Sequence, residues 1–241
     1  MKSSHPSLLF TTCVSALLIL LWSSVGQAAE SDKASKLFSD DFNGRTTLGD
    51  AYSVAKAKNG AWSIKDGVLI GKQTESDHGT VIRTEFPFDD VDIQFDFRFR
   101  GGKSFNFVID DKNEESVHAG HICRASVNSS TIRIGDDKSG SMNLEVRKMR
   151  QSKDLPEKQQ TELSALLKRT QAKTDVQIKR SQWHHLRIRI QKDVMTVVFD
   201  GDKKVSLKSP GIDHPTKNKL GFTVIGTSID FDNFTVHKPE N

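Results

Sequence analysis

Strict alternation of apolar and polar residues dominates this chain. In DVDIQFDFRFR, Val91, Ile93, Phe95, Phe97 and Phe99 face one way and Asp92, Gln94, Asp96, Arg98 and Arg100 the other. Period two over that length predicts a strand buried on one face. WHHLRIRIQKD repeats the pattern, with Leu186, Ile188 and Ile190 inward and His185, Arg187 and Arg189 outward. VMTVVFDGDKKVSL continues it as a hairpin that turns at Asp200-Gly201-Asp202. WSI, VLIG, TVIRTEF, SFNFVID, HICRASV, TIRIGD, LGFTVIG and IDFDNFTVH are further strands. More than ten closely spaced strands predict an all-β fold: a two-sheet antiparallel jelly-roll sandwich with an outer face able to hold a ligand.

One segment breaks the rhythm. DLPEKQQTELSALLKRTQA reads as a helix, with Asp154 and Glu157 as a capping box and Pro156 in the first turn. Leu163, Leu166 and Leu167 form a narrow apolar stripe suited to a sheet edge. Residues 151–175 are therefore expected to be one helical insertion in the β-domain.

The N-terminus sets the expected compartment. Lys2 is the only charged side chain before Glu30, an apolar run spans Ala16 to Trp22, and VGQAAE supplies small residues for cleavage. Residues 1–28 read as a secretory signal peptide and 29–36 as a polar linker, leaving one domain over 37–238. The mature protein is expected to be exported, to the periplasm or the extracellular space, with no transmembrane segment after signal removal. Cys13 leaves with the signal, so Cys123 stands alone and an intramolecular disulfide is ruled out. The formal charge of +4 is mildly basic and mixed along the chain. With no aromatic–basic stripe, nucleic acid is not an expected partner.

The densest chemistry lies in HAGHICR, His118 to Arg124. Two histidines three apart cannot both project from one side of a regular strand. Gly120 allows His118 to sit in a loop while His121 opens the strand. Either these residues satisfy loop hydrogen bonds beside a buried Cys123, or one histidine serves as a base or metal ligand at the rim of the ligand face. Acidic turns flank the strand at Asp110-Asp111-Lys112 and Asp136-Asp137-Lys138. Their carboxylates either converge with His121, as they would on a divalent metal ion, or simply populate solvent-facing turns. Arg124, Arg133 and Arg147 fall on three successive candidate strands, as a basic floor for sugar hydroxyls or a carboxylated sugar, or as ordinary cross-strand pairs. Trp183 and Trp62 offer either sugar-stacking platforms or packing surfaces. A nucleophile elbow, a phosphate-cradling glycine loop and HExxH are all absent from the sequence.

LFSDDFNG with WSIKDGVLIG at the start, and WHHLRIRIQKDVMTVVFDGDKKV with LGFTVIGTSIDFDNFTVHK at the end, resemble secreted concanavalin A-like domains. Within that superfamily the pattern is most similar to the 3-keto-disaccharide hydrolase domain family, in a planctomycete-type secreted member. The resemblance implies a carbohydrate ligand and cleavage or hydration of a 3-keto-glycoside through C2 proton abstraction. The alternative it leaves open is a non-catalytic carbohydrate-binding module. The central region, FNFVIDDKNEESVHAGHICRASVNSSTIRIGDDKSG, departs from the family's Asn-Ser-Gly and Tyr-Glu-x-Gln pattern, so no residue role is carried over. From the residues themselves, His121, His118 and Asp136 are expected to be catalytic, and Arg124, Arg133, Asp111 and Asp137 to bind substrate. This grouping needs a bulge or twist near Gly120, because alternation otherwise separates His121 from Arg124.

Overall fold

The alternating segments all become strands in the computed structural model, which describes Met1 and residues 36–239. The expected signal segment (Met1 apart), and the linker as far as residue 35, lie outside the described residues. In chain order the strands are β1 (Lys36–Asp40), β2 (Ser53–Ala55), β3 (Trp62–Lys65), β4 (Val68–Gly71), β5 (Thr80–Phe88), β6 (Val91–Phe99), β7 (Gly102–Asp110), β8 (His121–Asn128) and β9 (Thr131–Asp136). After two helices come β10 (Gln171–Asp175), β11 (His184–Gln191), β12 (Val194–Phe199), β13 (Lys203–Lys208), β14 (Lys217–Gly226) and β15 (Ile229–His237). They pair antiparallel in two sheets. The first runs β13-β12-β11-β6-β15-β4-β3, with β1 also on β15; the second runs β10-β9-β8-β7-β14-β5-β2.

Alternation sends one residue set from each sheet into a shared core. Phe95 of the first sheet lies 4.9 Å from Phe222 and 5.3 Å from Phe107 of the second, ring centroid to centroid. Phe97, Phe105, Phe231 and Phe234 complete a fully buried aromatic layer. Offset and edge-on ring pairs fill the space between twisted sheets and add to the burial of their area. Trp62 packs in this core, whereas Trp183 is exposed, with the Arg98 guanidinium 4.3 Å over its ring. Cys123 is a buried free thiol.

The helical insertion differs from its expected form. It comprises α1 (Leu144–Gln151) and α2 (Glu157–Arg169), and Gln171–Asp175 returns to the sheet as β10. Asn143 caps α1 by accepting from the backbone amides of Glu145 and Val146. Arg147 is thus helical, not on a strand. In α2 the capping box does not form: Pro156 is the N-cap residue, and no side chain caps the helix. Its leucines are half-buried, and none of its residues is fully buried. No helix among the described residues is long and apolar enough to cross a membrane.

Candidate active site

The inward set of the second sheet builds the core, so its outward set is left to build a site. Asn106, Val108 and Asp110 of β7, His121 and Arg124 of β8, Val81 and Arg83 of β5, and Lys219 and Thr223 of β14 line a cleft of about 620 Å³ on that outer face. The short edge strand β2 walls one side, and the loop carrying His118 and helix α1 with Arg147 wall the other.

Two local devices place the histidines. Ala119 and Gly120 both have positive φ, 55° and 75°, turning the chain sharply between His118 and His121. A side chain at Gly120 would collide with the Asp111 carbonyl oxygen, which makes glycine necessary there. Next, the pairing register slips: Asp110 faces His121 and Ile109 faces Cys123, so Ile122 is an extra residue on β8. Ile122 and Cys123 both turn into the core, and His121 and Arg124 both emerge on the cleft side. A bulge of this kind re-aims side chains beside it.

His121 is held from below. Its Nδ1–H donates to Asp110 Oδ1 at 2.6 Å, while Asp110 Oδ2 accepts from Arg83 Nε at 3.0 Å. With Nδ1 protonated, Nε2 of a neutral imidazole keeps its lone pair. Burial opposes charge on Asp110, but the His121 hydrogen bond and the Arg83 guanidinium outweigh it and hold the carboxyl below its ordinary range. Arg83 is itself 4% exposed and spends three of its four remaining donors on the carbonyls of Ile82 and Phe222 and on Thr223 Oγ1. It lies beside Gly221 of β14, where a side chain would meet the β5 backbone.

The His118 ring stands 6.1 Å from that of His121, centroid to centroid, and has no hydrogen-bond partner among the described residues. Desolvation, together with the charges of Arg147 and its neighbours, lowers its pKa below the ordinary imidazole value, so the neutral form is favoured. Arg124 is gripped by Asp137, Nε to Oδ2 at 2.6 Å and Nη2 to Oδ1 at 2.8 Å, which leaves its Nη1 donors unspent.

The remaining expected site residues lie elsewhere. Asp136 continues the inward set of Ile132 and Ile134, so it points away from the cleft and accepts from Ser209 Oγ and the amides of Ser139 and Gly211. Asp111 follows the strand end and accepts from His214 Nε2, Thr216 Oγ1 and Asn218 Nδ2. These donors, with the Asn113 amide, outweigh burial and lower its pKa to about 2. Arg133 is exposed on the same outer face, one strand beyond Arg124, and does not line the cleft. The two acidic turns do not converge: each carboxylate is engaged by its own donors, and no cluster of three or more His, Cys, Asp or Glu among the described residues is arranged for a metal ion. Asp110, named in the sequence only as part of an acidic turn, and Arg83, which did not stand out there, both belong to the site. The available signal was outward alternation through Asn106, Val108 and Asp110; for Arg83, the signal needed the pairing that sets Gly221 beside it.

Solved structures similar to this chain share its sandwich. SCLam, a non-specific endo-beta-1,3(4)-glucanase from family GH16, superposes with TM-score 0.57 at 11% identity, covering 85% of this chain and 91% of its own. The catalytic domain of an endo-1,3-beta-glucanase (laminarinase) from Thermotoga petrophila RKU-1 gives 0.53 at 10% identity, covering 86% and 98%. The carbohydrate binding module CBM66 from Bacillus subtilis gives 0.51 at 13% identity, covering 78% and 95%. At these identities the likeness shows the fold alone. No curated protein matches the chain. Residues 37–237 match the 3-keto-alpha-glucoside-1,2-lyase-like domain, and the chain belongs to that family.

Proposed function

We propose that this cleft cleaves 3-keto-glycosides, with His121 as the base. The observation that carries the reading is the Arg83–Asp110–His121 relay, which ends in an imidazole at the cleft wall. A ketone at C3 acidifies the C2 proton. His121 Nε2 takes that proton, and the electron pair of the broken C2–H bond becomes an enediolate across C2 and C3. Asp110 stabilises the imidazolium so formed, and the free Nη1 of Arg124 supports the oxygen where charge develops. The pair then forms the C1–C2 double bond as the C1–O bond breaks, and the departing oxygen takes a proton from the His121 imidazolium, directly or through water. Neutral His118 offers a hydrogen bond to the sugar beside it.

Incubating the protein with a 3-keto-disaccharide should generate an α,β-unsaturated ketone, visible in the ultraviolet, while the parent disaccharide stays intact. His121→Ala should lower the rate by about 10²–10⁴-fold, the usual range for a general base. Its stability should fall by about 1–3 kcal/mol, because the buried Asp110 carboxylate loses the donor that His121 supplies, while the fold is retained. Binding of the keto-sugar without cleavage would overturn the reading in favour of a carbohydrate-binding module. Export is part of the same proposal and rests on residues 1–28. N-terminal sequencing of the secreted protein should start near Ala29; a mature chain that still begins at Met1 would refute it.

A further inference from the structure

Charge in the cleft is matched almost residue by residue. Arg83 is matched by Asp110, Arg124 by Asp137, and Lys219 by Glu85 at 3.0 Å. Lys56 and Asp77, of opposite sign, sit at the exposed rim. Arg147 is the exception. Its guanidinium is half-buried in the cleft wall, and its one hydrogen-bond partner among the described residues is the thioether of Met142, at 3.5 Å. Sulfur is a weak acceptor, so most of the five donors of this side chain have no partner among the described residues.

Helix α1 holds Arg147 in place against the cost of the unmatched charge. The His118 amide donates to the Met142 carbonyl at 2.8 Å, and the Leu144 amide to the Ser116 carbonyl at 3.0 Å, which fastens the start of α1 to the loop of His118. Asn143 caps the helix one turn before Arg147. A preorganised cation in a partly desolvated wall binds an anion more strongly than a solvated one would.

We infer that the substrate carries a carboxylate, which the Arg147 guanidinium receives beside the reacting sugar. A guanidinium offers a planar pair of donors that fits a carboxylate in a two-point contact. One unmatched positive charge suits a monoanion, whereas a phosphate dianion would leave a charge unmatched in the cleft. The inference deepens the lyase reading and rests on it for the reaction, but the charge preference is measurable without any cleavage.

Three unreactive probes separate the cases in titration calorimetry: methyl α-glucuronide, with the carboxylate on the ring; the α-glucoside of glyceric acid, with the carboxylate on the aglycone; and neutral methyl α-glucoside. One of the anionic probes should bind about ten- to a hundredfold more tightly than the neutral one, as a charged hydrogen-bonded pair allows. Which of the two it is locates the carboxylate. Arg147→Gln should collapse the ratio towards one, and Arg147→Lys should restore part of it. In Arg147→Gln the pH titration of His118, followed by NMR, should also shift upward, since a neighbouring positive charge has gone. Should Arg147→Gln fail to fold, Arg147→Lys alone still tests the idea through a reduced ratio. Equal binding of all three probes, no binding of any, or an equal loss for all in Arg147→Gln would overturn the inference. Cleavage of a neutral 3-keto-glycoside by the same preparation would then leave the lyase reading standing. Tight binding of an anionic probe whose 3-keto form is never cleaved would support the inference and overturn the lyase reading.

Discussion

Asp110 is the residue on which the site and the stability of the second sheet meet. Its side chain and that of Arg83 are 5% and 4% exposed, so each is the other's counter-charge in a dry environment. Asp110→Asn should cost about 3–5 kcal/mol in urea unfolding, because it leaves a buried guanidinium uncompensated. Adding Arg83→Met should recover much of that loss, since removing both charges of a buried pair is often near neutral. A loss below about 0.5 kcal/mol in the single variant would show that the carbonyls of Ile82 and Phe222 are enough for Arg83. The depressed carboxyl also fixes the sign of the pH dependence. The folded group binds its proton less readily than the unfolded one, so its contribution is full above the ordinary carboxylate value and is lost as pH falls through the lower folded value. The two acidic turns looked similar in the sequence, which favoured the one with Asp136, and period two separates them the other way. Asp110 shares the outward set of Asn106 and Val108, while Asp136 shares the inward set of Ile132 and Ile134. That distinction was legible from alternation alone. The engagement of Asp110 by Arg83 was not, because it depends on two residues 27 positions apart in the chain meeting across β14.

Among the elements, the strands were legible and the helices only partly so. Alternation is a repeated signal, read many times along β6 or β11. A helix start, by contrast, rests on one or two residues. Asn143, which caps α1, stands in a short polar run without periodicity, while Asp154 and Glu157 offered a capping pattern that the chain does not use. The bulge at Ile122 was required by the grouping of His121 with Arg124, yet an extra residue in an apolar strand leaves no mark of its own in composition. The observed boundaries also change what can be removed. Replacing residues 153–168 with a Gly-Ser linker discards the turn before α2 and nearly all of α2 with its half-buried leucines, at an expected cost of about 2–5 kcal/mol. Extending the cut through Asp175 removes β10, whose five residues pair with β9, and leaves β9 as an open edge. Circular dichroism and thermal melting should show a retained β fold in the shorter variant, and loss or aggregation in the longer one. A collapsed β spectrum in the shorter variant would place α2 in the core.

On the scale of the whole molecule, one sheet carries the candidate cleft and the other packs against its back. The first sheet closes its own outer face with ion pairs such as Arg187–Asp92 and Arg98–Asp230, and its inward phenylalanines brace the strands that carry the cleft. Cys123 sits at the junction of these roles. It is the one cysteine among the described residues, wholly buried, and burial pushes its thiol above the ordinary value. It lies two residues from His121 and one from Arg124, on the opposite side of the same strand. The protein therefore carries its own stopwatch for the lifetime of the assembled site. A thiol-reactive dye should label Cys123 only when β8 leaves the sandwich, so the labelling rate in dilute denaturant should track unfolding and fall when a sugar bridges His121 and Arg124. Prompt labelling in plain buffer would mean that this strand opens without the rest.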